Sequence, residues 1–320
     1  MKTTHVPSLA GAIRLAAPDV SRSIPSMMSR DERALLLALA RETYRGDGMI
    51  IDAGVFCGAS TVCFGQGIAA SPHRAAILAR WPRPVQTYEY GIVNPGMIPF
   101  FERHNVAGDW QVGQSFEPYL RGNIASVAPL VDLHLGDIAG ASWSGAPIEI
   151  MFLDVLKSAE IQQAVMRAFL PFLLPGAVLI QQDYFIDGVP FVKIFQEEIA
   201  EYFDYLGEIQ SSAVFRLARA IPAGVVAAAS ERALPLARQL ALLDAARDRS
   251  IDPDRRFLCD MGKIRFLSDL GHREVAQRVL EELRAAQPEM FAGHPSPRIV
   301  SAIRAATNRS LGRIYRQPAA

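Results

Sequence analysis

The sequence predicts an α/β fold: a doubly wound, mostly parallel, Rossmann-like sheet with a C-terminal helical appendage. Three observations predict it. Short apolar runs alternate with amphipathic stretches from about residue 49 to 218, the pattern of parallel strands covered by helices on both faces. Each of the first five runs closes on or just before an acid: Asp52, Glu89, Asp137, Asp154 and Asp183. Beyond residue 222 the apolar periodicity is helical only, with no strand between the helices.

The elements follow in order. Residues 1–28 lack periodicity and are expected to form an irregular N-terminal arm. Ser29 and Glu32 match a capping box, which opens a helix through Ala34–Ala40 that Gly46 and Gly48 end. Met49–Ala53 reads as a buried strand, followed by a turn containing Gly54 and Gly58 and a helix from Ala59 to Ala70. Pro84–Glu89 and Leu130–Leu135 are further strands, with a helix near Phe116–Val127 between them. Pro147–Leu153 is a fourth strand. Ser158 caps a helix whose Ile161, Val165, Ala168, Phe169 and Phe172 form one apolar stripe. Pro175-Gly176 breaks the chain before a fifth strand, Ala177–Gln181. A helix at Pro190–Tyr202 precedes strands near 204–210 and 213–218. The tail divides into helices at Ala227–Arg247 (which Pro235 is expected to kink or divide), Asp254–Leu270, Arg273–Ala286 and Pro297–Ala306. The expected domains are the arm, a ligand-binding sheet domain over 29–221 and a helical region over 222–320.

Composition narrows the function. Basic and acidic residues balance at 33 each, so there is no electrostatic reason to bind nucleic acid. No charge-free apolar run approaches the length of a membrane span. Leu9–Ala17 is interrupted by Arg14 and makes a poor secretory signal. A cytoplasmic protein with no membrane partner is expected. Cys57, Cys63 and Cys259 are scattered without metal-ligand spacing and read as buried apolar residues. None of the six histidines sits in a convincing site. Only His104, on the substrate-side segment, merits a test.

Four motifs carry chemistry. Ile50-Ile-Asp-Ala-Gly-Val-Phe-Cys-Gly-Ala-Ser-Thr61 joins a strand to a helix through a glycine turn, where free N–H groups suit a polar or anionic ligand. Its Gly54–Gly58 spacing departs from the G-x-G-x-x-G of dinucleotide sites. Glu89 ends the second strand, where an acid can accept hydrogen bonds from both ribose hydroxyls. Asp137 follows the third strand and can reach an exocyclic amine. The fourth motif is Ile148-Glu-Ile-Met-Phe-Leu-Asp-Val-Leu-Lys-Ser158 with Leu174-Pro-Gly-Ala-Val-Leu-Ile-Gln-Gln-Asp-Tyr184.

On this last frame, residues 25–220 resemble the small-molecule O-methyltransferases related to macrocin O-methyltransferase. These are class I S-adenosylmethionine-dependent enzymes often encoded among sugar and natural-product genes. A strand ending Asp-x-x-Lys-Ser, Leu-x-Pro-Gly, and a strand ending Gln-Asp-Tyr or Asp-Asp-Tyr make the shared frame. The glycine turn, Gln114-Ser-Phe116 and Asn123 fit it too. The resemblance implies that Gly54, Gly58, Ser60 and Thr61, following Asp52, line the methionine moiety. It sets Glu89 on the ribose and Asp137 near the adenine. It sets Asp154 at the reacting centre, with Lys157 and Asp183 beside it. Metal-dependent relatives carry two consecutive acids where this chain has Gln182-Asp183. Magnesium use is therefore doubtful, with Asp154 and Asp183 as its ligands if any.

The expected activity is methyl transfer from S-adenosylmethionine to a hydroxyl of a small-molecule acceptor, with sugars and glycosylated metabolites as first candidates. An alcohol must also lose a proton. Asp154, Asp183 and Lys157 are the candidate bases, since arginine, the commoner cation here, cannot serve. Two other readings compete: a nicotinamide-dependent oxidoreductase, and a non-catalytic scaffold of the same fold. The helical tail is expected to act as a lid or as a homo-oligomer surface.

Overall fold

A computed structural model describes residues 23–231 and 234–312. The chain divides into two compact units. One runs to Gln182 and resumes over Glu201–Ser230. The other takes Asp183–Ala200 and the chain from Glu231 onward.

In the first unit the capping box is in place: Ser29 Oγ accepts the Glu32 N–H, and Glu32 returns a carboxylate to the Ser29 N–H. It opens α1 (Arg30–Ala38), which ends in a π-helical turn, Leu39–Thr43. There follow β1 (Met49–Ala53), α2 (Ala59–Ala69), α3 (Arg74–Arg80), β2 (Val85–Glu89), α4 (Met97–Arg103), α5 (Glu117–Ile124), β3 (Val131–Leu135), β4 (Ile148–Leu153), α6 (Ala159–Phe169) and β5 (Leu173–Gln181). After α7 (Pro190–Glu198), which belongs to the second unit, come β6 (Phe203–Ile209) and β7 (Ser212–Leu217).

The seven strands form one sheet in the order β3-β2-β1-β4-β5-β7-β6. The first five are parallel, and β7 runs antiparallel between β5 and β6. This is the doubly wound, Rossmann-like sheet expected. It differs from the dinucleotide order 3-2-1-4-5-6 by the insertion of β7. β1 and β4 are apolar on both faces because both are covered: Ile50, Ile51, Ile150, Met151 and Leu153 are fully buried. Glu149 is the exception within β4. Its carboxylate accepts the N–H groups of Arg45, Asp47 and Gly48 and so fixes the loop into β1.

Several local expectations change. Strand β5 begins at Leu173, so Pro175-Gly176 lies inside it. Pairing with β4 shifts register between Ile148 and Ile150, and the proline sits at that irregularity, where no ladder donor is required. Helices α3 and α4 were not anticipated. Each has only seven residues, too few to show an apolar stripe. The predicted arm lies outside the described residues up to position 22. Ile24 and Met28 beyond it are buried in the main core.

The second unit is helical. Its members are α7, α9 (Leu236–Asp248), α10 (Pro253–Asp269), α11 (Arg273–Ala286), the short α12 (Pro288–Phe291) and α13 (Pro297–Ser310); α8 (Ala223–Glu231) leads into it. Pro235 caps α9 and divides the helical stretch read from Ala227, where a proline either kinks or breaks a helix. Helix α10 is central, and its Phe257, Met261, Ile264 and Leu267 are fully buried against α11 and α13. Helix α7 packs on α9. Between them, Glu197 is buried and accepts Arg249 Nε at 2.5 Å, Arg249 Nη2 at 2.8 Å and the Tyr184 hydroxyl.

Removing one partner of a buried charge pair leaves the other uncompensated, which typically costs about 3–5 kcal/mol. Arg249→Ala should therefore lower the melting temperature of the helical unit markedly. The double variant Arg249→Met/Glu197→Gln should recover much of the loss. Calorimetric melting of the two variants beside the parent checks both outcomes.

Candidate active site

The parallel strands end side by side, and backbone bonds tie each tip to its neighbour. Gly136 N–H donates to Glu89 O, Gly54 N–H to Tyr88 O, Asp154 N–H to Ala53 O and Gln182 N–H to Leu153 O, at 2.8–3.0 Å. Asp52, Glu89, Asp137 and Asp154 are thereby brought to one edge of the sheet, where ligands of such folds sit.

Asp52 is fully buried at the end of β1. Its Oδ2 accepts Thr61 Oγ1 at 2.6 Å and Ser60 Oγ at 3.1 Å, while Oδ1 has no hydrogen-bond partner. Burial pushes its carboxyl up to about 7 against the pull of those two hydroxyls, and the charges of Asp154 and Glu89 add to the rise. Ser60 and Thr61 are themselves buried and are held by Asp52. Their geometry is that of groups that fasten the first turn of α2 to β1, with Ser60 alone also lining a small cavity beside Gly54.

The glycines have packing reasons. Gly54 and Gly58 both have positive φ, 85° and 92°. A Cβ on Gly54 would lie 2.7 Å from the Asp154 backbone, and one on Gly58 would lie 2.6 Å from the Ile124 side chain. Asn123 Nδ2 donates to Cys57 O across the same turn. Cys57 is an inert buried thiol, pushed up to about 12 by burial.

Glu89 organises the next layer. Its Oε2 accepts the Phe56 N–H at 2.6 Å and its Oε1 accepts the Gly91 N–H at 3.2 Å. Phe56 adopts φ 51°, uncommon for a bulky residue and a mark of strain held by its surroundings. Its ring stacks on Phe101 at 5.7 Å and meets Phe100 and Phe116 edge-on. Glu89 also stands where two clefts meet. One, about 300 Å³, is lined by Tyr88, Gly136, Asp137 and Ile138. The other, about 460 Å³, runs past Gly54, Phe56, Tyr90, Met97, Val112, Asp154 and Lys157. Tyr90, Val155 and Ile161 border both.

In the larger cleft Lys157 Nζ donates to Asp154 Oδ1 at 2.8 Å. The lysine is 55% exposed and the carboxylate 20%. Asp137 is exposed in the smaller cleft and caps a 3₁₀ turn by accepting the Ala139 N–H. Gly136 has open space where a side chain would be. Asp183 lies in the helical unit. It follows β5 with φ 63°, and Arg298 Nη2 stands 3.9 Å from its Oδ1. Among the described residues no cluster of three or more His, Cys, Asp or Glu could hold a metal ion. No helix among them is long and apolar enough to cross a membrane. His104, exposed, lies against Phe100 at 4.3 Å and does not line either cleft.

Sequence reasoning missed Phe56, Tyr90, Met97 and Val112. They come from separate segments, and only the pairing of 91–93 with 113–116 brings them to one wall. The sole available signal was the phenylalanine inside the glycine turn.

No protein-family model matches the chain, nor does any curated protein. Among solved structures, the chain is similar to the O-methyltransferase NovP (14% identity, 61% of this chain and 83% of that one, TM-score 0.45). It is similar to cofactor-bound Rv0187 from MTB (18%, 67% and 90%, TM-score 0.39) and to the CcbJ methyltransferase from Streptomyces caelestis (15%, 57% and 55%, TM-score 0.29). Likeness of this degree carries no functional weight.

Asp52 yields a prediction about stability. Between its ordinary value near 3.8 and its folded value near 7, the folded chain keeps a proton that the unfolded chain releases. Stability contributed at this position therefore falls as pH rises through that window and levels off above it. Asn at this position keeps an acceptor for Thr61 and does not titrate. Asp52→Asn should compare more favourably with the parent at pH 8 than at pH 5, as read from melting temperatures at the two values.

Proposed function

We propose that the chain transfers a methyl group from S-adenosylmethionine to a hydroxyl of a small molecule. The observation that carries this reading is Glu89. A carboxylate ends β2 at the junction of two clefts, fixed by two backbone N–H groups. Each of its oxygens keeps a lone pair for a further donor, the chemistry that recognises the two hydroxyls of a ribose.

The residues fit such a cofactor. Glu89 would hold the ribose. Asp137, Ile138 and Tyr88 would receive the adenine in the smaller cleft, where Gly136 leaves room. Gly54 and the turn before α2 would border the methionine end. When bound, the cofactor supplies a methyl group on a sulfonium sulfur, already activated for displacement. Asp154 and Lys157 then stand on the acceptor side. The Asp154 carboxylate takes the hydroxyl proton, and the Lys157 ammonium stabilises charge that builds on the oxygen. Alignment of donor and acceptor in the walled cleft supplies the remainder of the rate. Asp183 belongs to the helical unit, and no step is assigned to it or to a metal. A nicotinamide cofactor is less well supported, because the glycine spacing and the inserted β7 both depart from the dinucleotide pattern.

Calorimetric titration of the parent with S-adenosylmethionine and S-adenosylhomocysteine tests the reading. Hydrogen bonds to a charged group contribute about 1.5–3 kcal/mol each, so Glu89→Ala should weaken both ligands by at least about tenfold. Because Glu89 also holds the Phe56 turn, Asp137→Asn is titrated in parallel and should weaken them less. Absence of binding to folded parent protein would sink the proposal.

A further inference from the structure

Resting on the methyl-transfer reading, we propose that the acceptor is a flat, apolar molecule whose hydroxyl is carried on an aromatic ring. The cleft beyond Glu89 is apolar on nearly every side. Tyr90 offers an exposed aromatic ring and Met27 an exposed thioether suited to ring contacts, and Phe56, Val93, Met97 and Val112 line the rest of the wall. Among the described residues, the sheet unit exposes four large apolar side chains: Met27 (70%), Tyr90 (61%), Val112 (59%) and Leu135. The first three line this cleft, and Leu135 lines the adjoining hollow beside Asp137. Exposed apolar surface gathered along one groove, and not scattered, marks a binding surface. At about 460 Å³ the cleft falls within the range of small-molecule sites.

The polar groups point the same way. Beyond Glu89 the charged or amide side chains lining the cleft are Asp154, Lys157 and Asn94. Asn94 Oδ1 already accepts the Gly96 N–H. A sugar would bring several hydroxyls against a wall with few polar partners, and each one that loses water without gaining a partner costs about 1–3 kcal/mol. A ring hydroxyl brings one, and the Asp154–Lys157 pair meets it. Proton loss agrees. A phenolic hydroxyl ionises near pH 10, about six units below water at about 15.7, so a carboxylate base is far better matched to it than to an aliphatic alcohol. In the reaction the ring oxygen bonds to the methyl carbon as the carbon–sulfur bond breaks. The sulfur keeps the electron pair, and the ring hydroxyl's proton ends on Asp154.

The test uses the full chain saturated with S-adenosylhomocysteine and titrated with 2-naphthol or with methyl β-D-glucopyranoside. Naphthol should bind at least about tenfold more tightly than the glucoside. Val112→Asp, on an exposed loop position, should weaken naphthol about fivefold or more and leave S-adenosylhomocysteine within about twofold. Tyr90→Ser gives a second, uncharged variant and should also weaken naphthol. If S-adenosylhomocysteine binds but the glucoside equals or exceeds naphthol, or if both variants bind naphthol as the parent does, the aromatic acceptor is wrong and the cofactor site stands. If S-adenosylhomocysteine does not bind, the methyl-transfer reading falls and this inference falls with it.

Discussion

The Glu89 carboxylate is the contact on which the ligand-facing edge depends. A side chain at the tip of one parallel strand reaches across to the turn that follows its neighbour and captures the Phe56 N–H. That N–H points at the acid only because Phe56 accepts a left-handed backbone, which a bulky side chain avoids unless its surroundings compel it. The ring pays back the strain: stacked on Phe101 and edge-on to Phe100 and Phe116, it becomes the centre of an aromatic cluster. The cluster fixes α4 and the segment before α5, and these form the wall of the larger cleft. One hydrogen bond thus couples the polar half of the site to the apolar half.

Asp52 plays a different part. Fully burying a carboxylate is unfavourable unless hydrogen bonds compensate, and only one of its two oxygens is satisfied. What it achieves is local. By accepting both Ser60 and Thr61 it draws the first turn of α2 against β1, so the glycine turn between them is closed at both ends. Gly58 then lets α5 approach from the other side, since any side chain there would collide with Ile124 and Leu120. The glycine turn serves packing as much as any ligand.

Much of this was legible in the sequence where a local rule has one outcome. The Ser29–Glu32 capping box and the strand at Met49–Ala53 follow from residue type and spacing, and both are present as read. The ends of the parallel strands were marked by their acids, whereas Glu149, inside β4, is tolerated because three backbone N–H groups compensate it. The sequence was silent where the cause is distant. Nothing local forces Phe56 to a positive φ; Glu89, thirty-three positions away, does. The roles of Ser60 and Thr61 were likewise hidden, because a hydroxyl at a helix start serves a ligand or a neighbouring carboxylate equally well. The wall of the larger cleft joins Met27, Tyr90 and Val112, which no spacing rule connects.

The same distinction explains the loop after β5. Read along the chain, residues 183–200 continue the sheet domain, yet their side chains are satisfied within the segment and by the C-terminal helices. Lys193 is buried and donates to the carbonyls of Ile186 and Gly188. Desolvation lowers its pKa, partly opposed by the charges of Asp187 and Asp183. Arg265 pairs with Asp187, and Gly262 in α10 lets the Asp187 backbone approach to 3.0 Å of where a Cβ would stand. Tyr184 is fixed through Glu197 to Arg249. A loop that begins with a left-handed Asp183 and ends with a left-handed Val189 is conformationally costly, and these contacts are what hold it in a single shape. The helical unit is therefore more than an attachment to the C-terminus. It supplies the partners without which the segment bearing Asp183 would have no reason to adopt its observed backbone.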